Sequence, residues 1–270
     1  MSTPVRHPAV AGQFYPGRAE TMTRDIRNYA EPRKDRIAAK GCVVPHAGYM
    51  YSGHVAGAVY SRLELPQRFI ILCPNHTGMG APLSIMSEGA WSTPLGNAEI
   101  DSELAGRLKA TLPLLEEDQA AHRAEHAIEV QVPFLQTLVK DFSFVPITVG
   151  TSRFEALDAL GQAIGMVVQK SVEKVLVVAS SDMNHYESDE VTRIKDRRAI
   201  EPILALDPRG LWEAVTEQNI SMCGFGPTVS MLVAAKILGA TKAELVKYAT
   251  SGDISGDRDA VVGYAGIVVS

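Results

Sequence analysis

Phe69-Ile70-Ile71-Leu72-Cys73-Pro74-Asn75-His76-Thr77-Gly78 sets the pattern of the chain. Five apolar residues, too short a run for a helix, lead straight into a turn-forming loop that carries an imidazole. The same change recurs twice. Gly41-Cys42-Val43-Val44 leads into Pro45-His46-Ala47-Gly48-Tyr49, and Val175-Leu176-Val177-Val178-Ala179 leads into Ser180-Ser181-Asp182-Met183-Asn184-His185-Tyr186. Short, unbroken apolar runs are what strands buried on both faces of a parallel sheet require. Loops at the carboxyl ends of such strands border one crevice, so His46, His76 and His185 are expected in a single pocket despite their separation in sequence.

The segments between these strands have helical spacing. Residues 54–63, 100–111, 154–170, 193–206 and 228–238 read as helices; Leu104 and Leu108 lie four apart, and Leu157, Leu160, Ile164, Val167 and Val168 share one face. Residues 82–91 and 142–149 read as extended, and 245–250 and 260–269 as closing strands. Residues 127–139 form a further helix candidate whose Pro133 would remove an interior backbone hydrogen bond. Strands alternating with helices predict an α/β fold: a single domain with a central, largely parallel or mixed sheet covered by helices. No repeat, low-complexity tract or linker divides residues 1–270, so one domain is expected throughout.

An apolar fraction of 46% supports a substantial core. The net charge of −5, with Lys and Arg scattered, argues against a nucleic-acid partner. Residues 1–7 lack an apolar stretch, and no run approaches the roughly 18 residues of a membrane span, so no membrane association and a cytoplasmic location are the expectations. Three cysteines supply no disulfide framework. Cys42 and Cys73 fall within strands as buried thiols, whereas Cys223 lies in a loop, Ser221-Met222-Cys223-Gly224-Phe225-Gly226.

Two imidazoles at separate strand ends, His46 and His76, are a usual way to hold iron, copper or zinc. A thiolate at Cys223 would complete a set favouring those metals over magnesium or calcium. The alternatives are histidines satisfied by backbone carbonyls and a half-buried thiol without a role. Asp182 and His185 offer a carboxylate and an imidazole three residues apart, suited to acid/base work; alternatively, Asp182 caps a turn with Ser180, Ser181 and Asn184. His122-Arg123-Ala124-Glu125-His126 matches the H-x-x-E-H pattern of inverted zinc proteases, a short match that arises readily by chance. On a helix, Glu125 and Glu129 would share a face and, with His126, reach toward the main pocket.

These motifs, together with Arg6-His7-Pro8-Ala9-Val10-Ala11-Gly12-Gln13-Phe14-Tyr15-Pro16 and Glu125-His126-Ala127-Ile128-Glu129-Val130-Gln131, resemble the Memo family, whose bacterial and archaeal members are often called AmmeMemoRadiSam system protein B. The resemblance runs in register over nearly the whole chain. It implies the fold of the class III extradiol ring-cleaving dioxygenases, with a metal pocket at one end of the sheet. It places the metal on His46, His76 and Cys223, with His185 as base, Asp182 beside it, and Tyr49, Asn75, Glu125 and His126 in the pocket. A cysteine stands where ring-cleaving relatives carry a carboxylate ligand, which alters both redox potential and open positions. His122 stands where many members have an acidic residue and takes no carried-over role.

Two functions follow from the resemblance. One is a metal-dependent redox enzyme of dioxygenase type, with iron or copper ahead of zinc, acting on an unknown small molecule. The other is a non-catalytic module that captures a ligand or peptide in the same pocket, as animal Memo proteins are reported to do with phosphotyrosine segments. A zinc hydrolase using Glu125 is a third. The bacterial name implies a radical-SAM system protein as a partner.

Overall fold

The computed structural model describes residues 4–270. The chain enters through β1 (Val5–Arg6) and α1 (Ala19–Tyr29), crosses the core as β2 (Gly41–Val44), and passes through α2 (Tyr49–Arg62) into β3 (Arg68–Pro74). Next come β4 (Leu83–Ile85), β5 (Ala90–Thr93), β6 (Gly96–Ile100), α3 (Ser102–Thr111), β7 (Glu116–Glu117), α4 (Ala120–Arg123) and α5 (Val132–Leu138). The second half runs β8 (Ser143–Val149), α6 (Phe154–Gln169), β9 (Val175–Ser180), β10 (His185–Glu187), α7 (Asp189–Leu204) and α8 (Pro208–Glu217). It closes with α9 (Phe225–Ile237), β11 (Ala243–Thr250), α10 (Gly252–Ser255) and β12 (Val261–Val269).

The strands form one mixed sheet in the order β1-β5-β6-β8-β3-β9-β2-β12-β10, with β11 on β12 and β4 on β8. Its centre, β8-β3-β9-β2, is parallel, and β12 joins β2 antiparallel. Side chains alternate across β3. Ile70 and Leu72 join a layer with Leu104 of α3, Leu160 of α6, Ile203 of α7, Leu211 of α8 and Leu232 of α9. Phe69, Ile71 and Cys73 face the opposite layer, built on Met22 and Ile26 of α1, Val59 and Tyr60 of α2, and Phe134 of α5. Both faces are therefore covered, which is why the strands read as unbroken apolar runs. Cys42 and Cys73 are buried in that second layer, as their positions in strands predicted.

Several expected elements differ in extent; α7 and α9 begin at Asp189 and Phe225 rather than at residues 193 and 228. Helix α2 starts at Tyr49 rather than at residue 54, because its first turns bury Ser52 and Gly53, residues too small and polar to register as an apolar stripe. Residues 82–91 are not one strand but β4 and the start of β5. Helix α5 covers only the end of the expected 127–139 segment. Pro133 lies in its first turn, where no intrahelical N–H bond is lost. Residues 125–131 precede that helix, so Glu125 and Glu129 do not share a helical face. No helix among the described residues is long and apolar enough to cross a membrane.

Candidate metal centre

The carboxyl ends of β2, β3 and β9 lie side by side in the sheet, and the loops leaving them carry His46, His76 and Asp182. Cys223 arrives from the other direction, immediately before α9. At Gly224 a Cβ would lie 2.4 Å from the Ser180 carbonyl oxygen and from the Ser181 Cβ, so only glycine lets this loop close onto the end of β9. The Gly224 N–H donates to Ser181 Oγ at 3.0 Å, and the Asp182 N–H donates to Cys223 Sγ at 3.3 Å. A donor atom from each of His46, His76 and Cys223 lies within 4.8 Å of the others.

The proton on His46 is fixed by a buried chain. Ser180 Oγ donates its proton to the Ala127 carbonyl at 2.7 Å, leaving its lone pairs to accept from Gln131 Nε2 at 2.9 Å and from His46 Nδ1 at 3.0 Å. Gln131 is oriented in turn by donating to the Pro45 carbonyl and accepting from Tyr60 OH. With Nδ1 committed as donor, Nε2 carries the free lone pair, 3.2 Å from Cys223 Sγ. Burial, reinforced by the neighbouring His126 and His76, holds His46 well below the ordinary histidine range, so the ring is neutral as a ligand must be.

His76 is set by a carboxylate. Its Nδ1 lies 2.9 Å from Glu125 Oε1, and its backbone N–H donates to Glu125 Oε2 at 2.7 Å. Burial alone would raise the Glu125 pKa, but the His76 ring and the backbone N–H groups of Ala127 and His76 bring it down to about 2. Burial opposes protonation of His76, yet the Glu125 carboxylate outweighs it and raises that pKa. This is the carboxylate–histidine arrangement that orients metal-bound imidazoles, with Nε2 left for the ion. His126 stacks on His76 at 4.8 Å, with its Nδ1 3.5 Å from the same Glu125 oxygen. Glu125 thus stands behind the two rings rather than in the lining.

The donor set fits a transition ion. Burial first, and then the charge of Asp182, push the Cys223 thiol above its ordinary range, and only a cation at the sulfur would make a thiolate favourable there. Two imidazoles with oriented second nitrogens and one sulfur match iron, copper or zinc and not magnesium or calcium.

The remaining predicted residues divide. His46, His76, His126, Asp182, His185 and Cys223 all line one cleft of about 490 Å³, together with Phe14, Tyr186 and Val262. Asp182 does not pair with His185. Its Oδ1 accepts the backbone N–H groups of His46 at 2.8 Å and Ala47 at 3.3 Å, fastening the loop that carries His46. Burial raises its pKa against those two bonds. His185 instead directs Nδ1 at the Ser221 carbonyl, 2.9 Å away, because β10 turns its ring toward the Cys223 loop. Tyr49 and Asn75, expected in the pocket, are not among the residues lining the cleft. The Tyr49 hydroxyl donates to the Val130 carbonyl, and Asn75 folds back on the Met79 carbonyl of its own loop. Glu129 lies under the N-terminal segment, where it pairs with Arg6 and accepts from Ala9 N, Val10 N and Tyr15 OH.

The H-x-x-E-H match does not come together as a whole: Glu125 and His126 form a second donor group with His76, ligand atoms within 4.8 Å of one another, but His122 takes no part in it. His122 is fully buried, with Nδ1 against Thr148 Oγ1 at 3.0 Å and Nε2 without a partner, outside both donor groups found among the described residues. Ser180 and Gln131 are the residues that sequence reasoning missed. Ser180 was visible only as a loop residue after a strand and a turn partner for Asp182, and nothing in the linear order of Gln131 points to His46.

The profile of the Memo-like protein family matches residues 6–268. The chain belongs to the Memo family. A MEMO1 family protein of Methanothermobacter thermautotrophicus is 42% identical, covering 97% of this chain and 99% of its own. Members from Methanosarcina barkeri and Methanopyrus kandleri are 45% and 44% identical, covering 98% and 97% of this chain and 100% and 98% of their own. This Memo chain also resembles the crystal structure of an uncharacterised Escherichia coli K12 protein at a TM-score of 0.51. That likeness, at 13% identity over 85% of this chain and 99% of the other, shows the shared fold alone.

Proposed function

We propose that this Memo protein binds one transition metal ion through His46 Nε2, His76 Nε2 and Cys223 Sγ and presents it to a small molecule in the adjoining cleft. The observation that carries this reading is the pairing of donors with orienters: each imidazole has its Nδ1 engaged, by Ser180 or Glu125, so that Nε2 is free on the side where the sulfur lies. A bound ion would supply Lewis acidity and, as iron or copper, a redox couple. The chain itself would hold the ion, fix the His46 loop through Asp182, and place His126 and His185 at the cleft wall for hydrogen bonding or proton transfer.

Capture of a phosphotyrosine-type segment is less well supported. No Lys or Arg is among the residues lining the cleft, so a phosphate would find imidazoles and a carboxylate rather than the guanidinium groups that recognise it elsewhere. A non-haem redox enzyme acting on a small molecule is the form of the reading we favour.

Elemental analysis of protein purified without added metal, beside His46→Ala, His76→Ala and Cys223→Ala, tests the ligand set. Near-stoichiometric metal in the wild type and loss in each variant is the expected result. Equal content in wild type and His76→Ala would overturn it. Oxygen uptake by the iron- and copper-loaded forms with candidate small molecules tests the redox part separately.

A further inference from the structure

Tyr186 has a cost to the fold and no visible return. Its φ of +59° lies in the left-handed region, a strained conformation for a non-glycine residue and especially for an aromatic one. The strain coincides with a break in pairing: His185 opposes Val262 and Glu187 opposes Val261, so Tyr186 is the extra residue of a bulge between β10 and β12. Bulges of this kind re-aim side chains beside functional sites. The ring is 77% exposed, so burial does not offset the strain. It nevertheless forms part of the cleft wall and meets the His185 ring edge-on at 5.6 Å.

The surrounding wall indicates what such a ring would meet. Phe14 and Val262 also line the cleft, and no ammonium or guanidinium does. The outer part of the cleft is therefore suited to a flat, weakly charged group, with any anionic or chelating end directed to the three-donor cluster. We propose that Tyr186 is a ligand-contact residue that selects for a flat, unsaturated group on the molecule bound at His46, His76 and Cys223. This rests on the cleft being the ligand site proposed above.

Two probes with one metal-binding head separate the ring contact from the rest: benzohydroxamate and acetohydroxamate, titrated by calorimetry into zinc-loaded protein. The wild type should prefer benzohydroxamate. In Tyr186→Gly that preference should shrink by about three- to tenfold, the worth of one aromatic pair, with acetohydroxamate affinity unchanged. Tyr186→Phe should keep the preference. Glycine tolerates positive φ, so Tyr186→Gly should also melt no lower than wild type. An undiminished preference in Tyr186→Gly overturns the assignment, as does an equal loss of both probes. If elemental analysis finds that the protein holds no metal, the metal reading fails by itself. Chemical-shift titration of the metal-free protein with phenol then decides Tyr186, whose role is upheld by weaker binding to Tyr186→Gly and overturned by unchanged binding.

Discussion

Glu125 grips His76 twice, accepting the ring Nδ1–H at one oxygen and the backbone N–H at the other, at 2.9 and 2.7 Å. One side chain thereby fixes the position of the loop, the rotation of the ring and the nitrogen left free. In Glu125→Gln the shape is kept but the charge that favours Nδ1–H is gone. Metal affinity should fall about 10- to 100-fold, the usual effect of losing such a partner, while the fold persists. Competition with a chromophoric chelator measures it; affinity equal to wild type would mean that Glu125 does not orient a ligand.

His122 should behave as a core residue. Replacing it with Ala should leave metal content unchanged and cost about 1–3 kcal/mol of stability, as for other buried side chains. Burial first, and then the Arg6 charge, lower its pKa to about 4. A histidine depressed in this way contributes stability that is present above its unfolded pKa of about 6.5 and is lost as pH falls toward 4. The acid limb of the wild-type unfolding curve should therefore be shallower in His122→Ala. Loss of bound metal in that variant would restore the H-x-x-E-H motif as a ligand source.

The sequence made the sheet and its crevice legible because Val43, Ile70 and Val177 belong to runs whose burial on both faces leaves a continuous apolar signature. The convergence of His46, His76 and Cys223 was legible for a related reason, each sitting in a loop after a strand or before a helix. The role of Asp182 was not. Its separation of three residues from His185 suggested a pair, yet the carboxylate turns to the His46 loop and the imidazole to Ser221. Nor could Tyr60, Gln131 and Ser180 be recognised as one chain, since only the packing of α2 and the segment before α5 against β9 brings them together.

Asp196 should give the protein a pH dependence of opposite sign to that of His122. It is fully buried on α7, accepting from Asn184 N at 2.8 Å and Tyr248 OH at 2.6 Å, with no cation in contact; Gly263 leaves room for it, since a Cβ there would lie 1.8 Å from its Oδ2. Burial raises its pKa to about 7, against the Tyr248 and Asn184 bonds and the charge of Arg193. An unfolded carboxyl titrates near ~3.9. Between about 4 and 7 the folded protein therefore holds a proton that the unfolded chain has released, and stability declines as pH rises through that window, by a few kcal/mol at most. Asp196→Asn stays neutral throughout. Urea unfolding at several pH values should show the variant gaining on wild type from pH 4 to 7 and the gap then levelling. A gap that does not change with pH would mean that Asp196 is ionised even when buried.

His185 should prove separable from metal binding. Its Nδ1 donates to the Ser221 carbonyl, a neutral acceptor, and its backbone N–H donates to Ser221 Oγ at 2.8 Å, so its ring is held by the Cys223 loop and not by a carboxylate. In His185→Gln, the amide nitrogen can replace Nδ1 at that carbonyl, preserving the loop and therefore the position of Cys223, but it cannot accept and release a proton. Metal content and melting temperature should stay near wild type. Any turnover of a cleft-bound molecule should fall by roughly 10²- to 10⁴-fold, the range for removing a general acid or base. Metal lost as completely as in His46→Ala would instead place His185 among the ligands and replace the three-donor centre with a four-donor one.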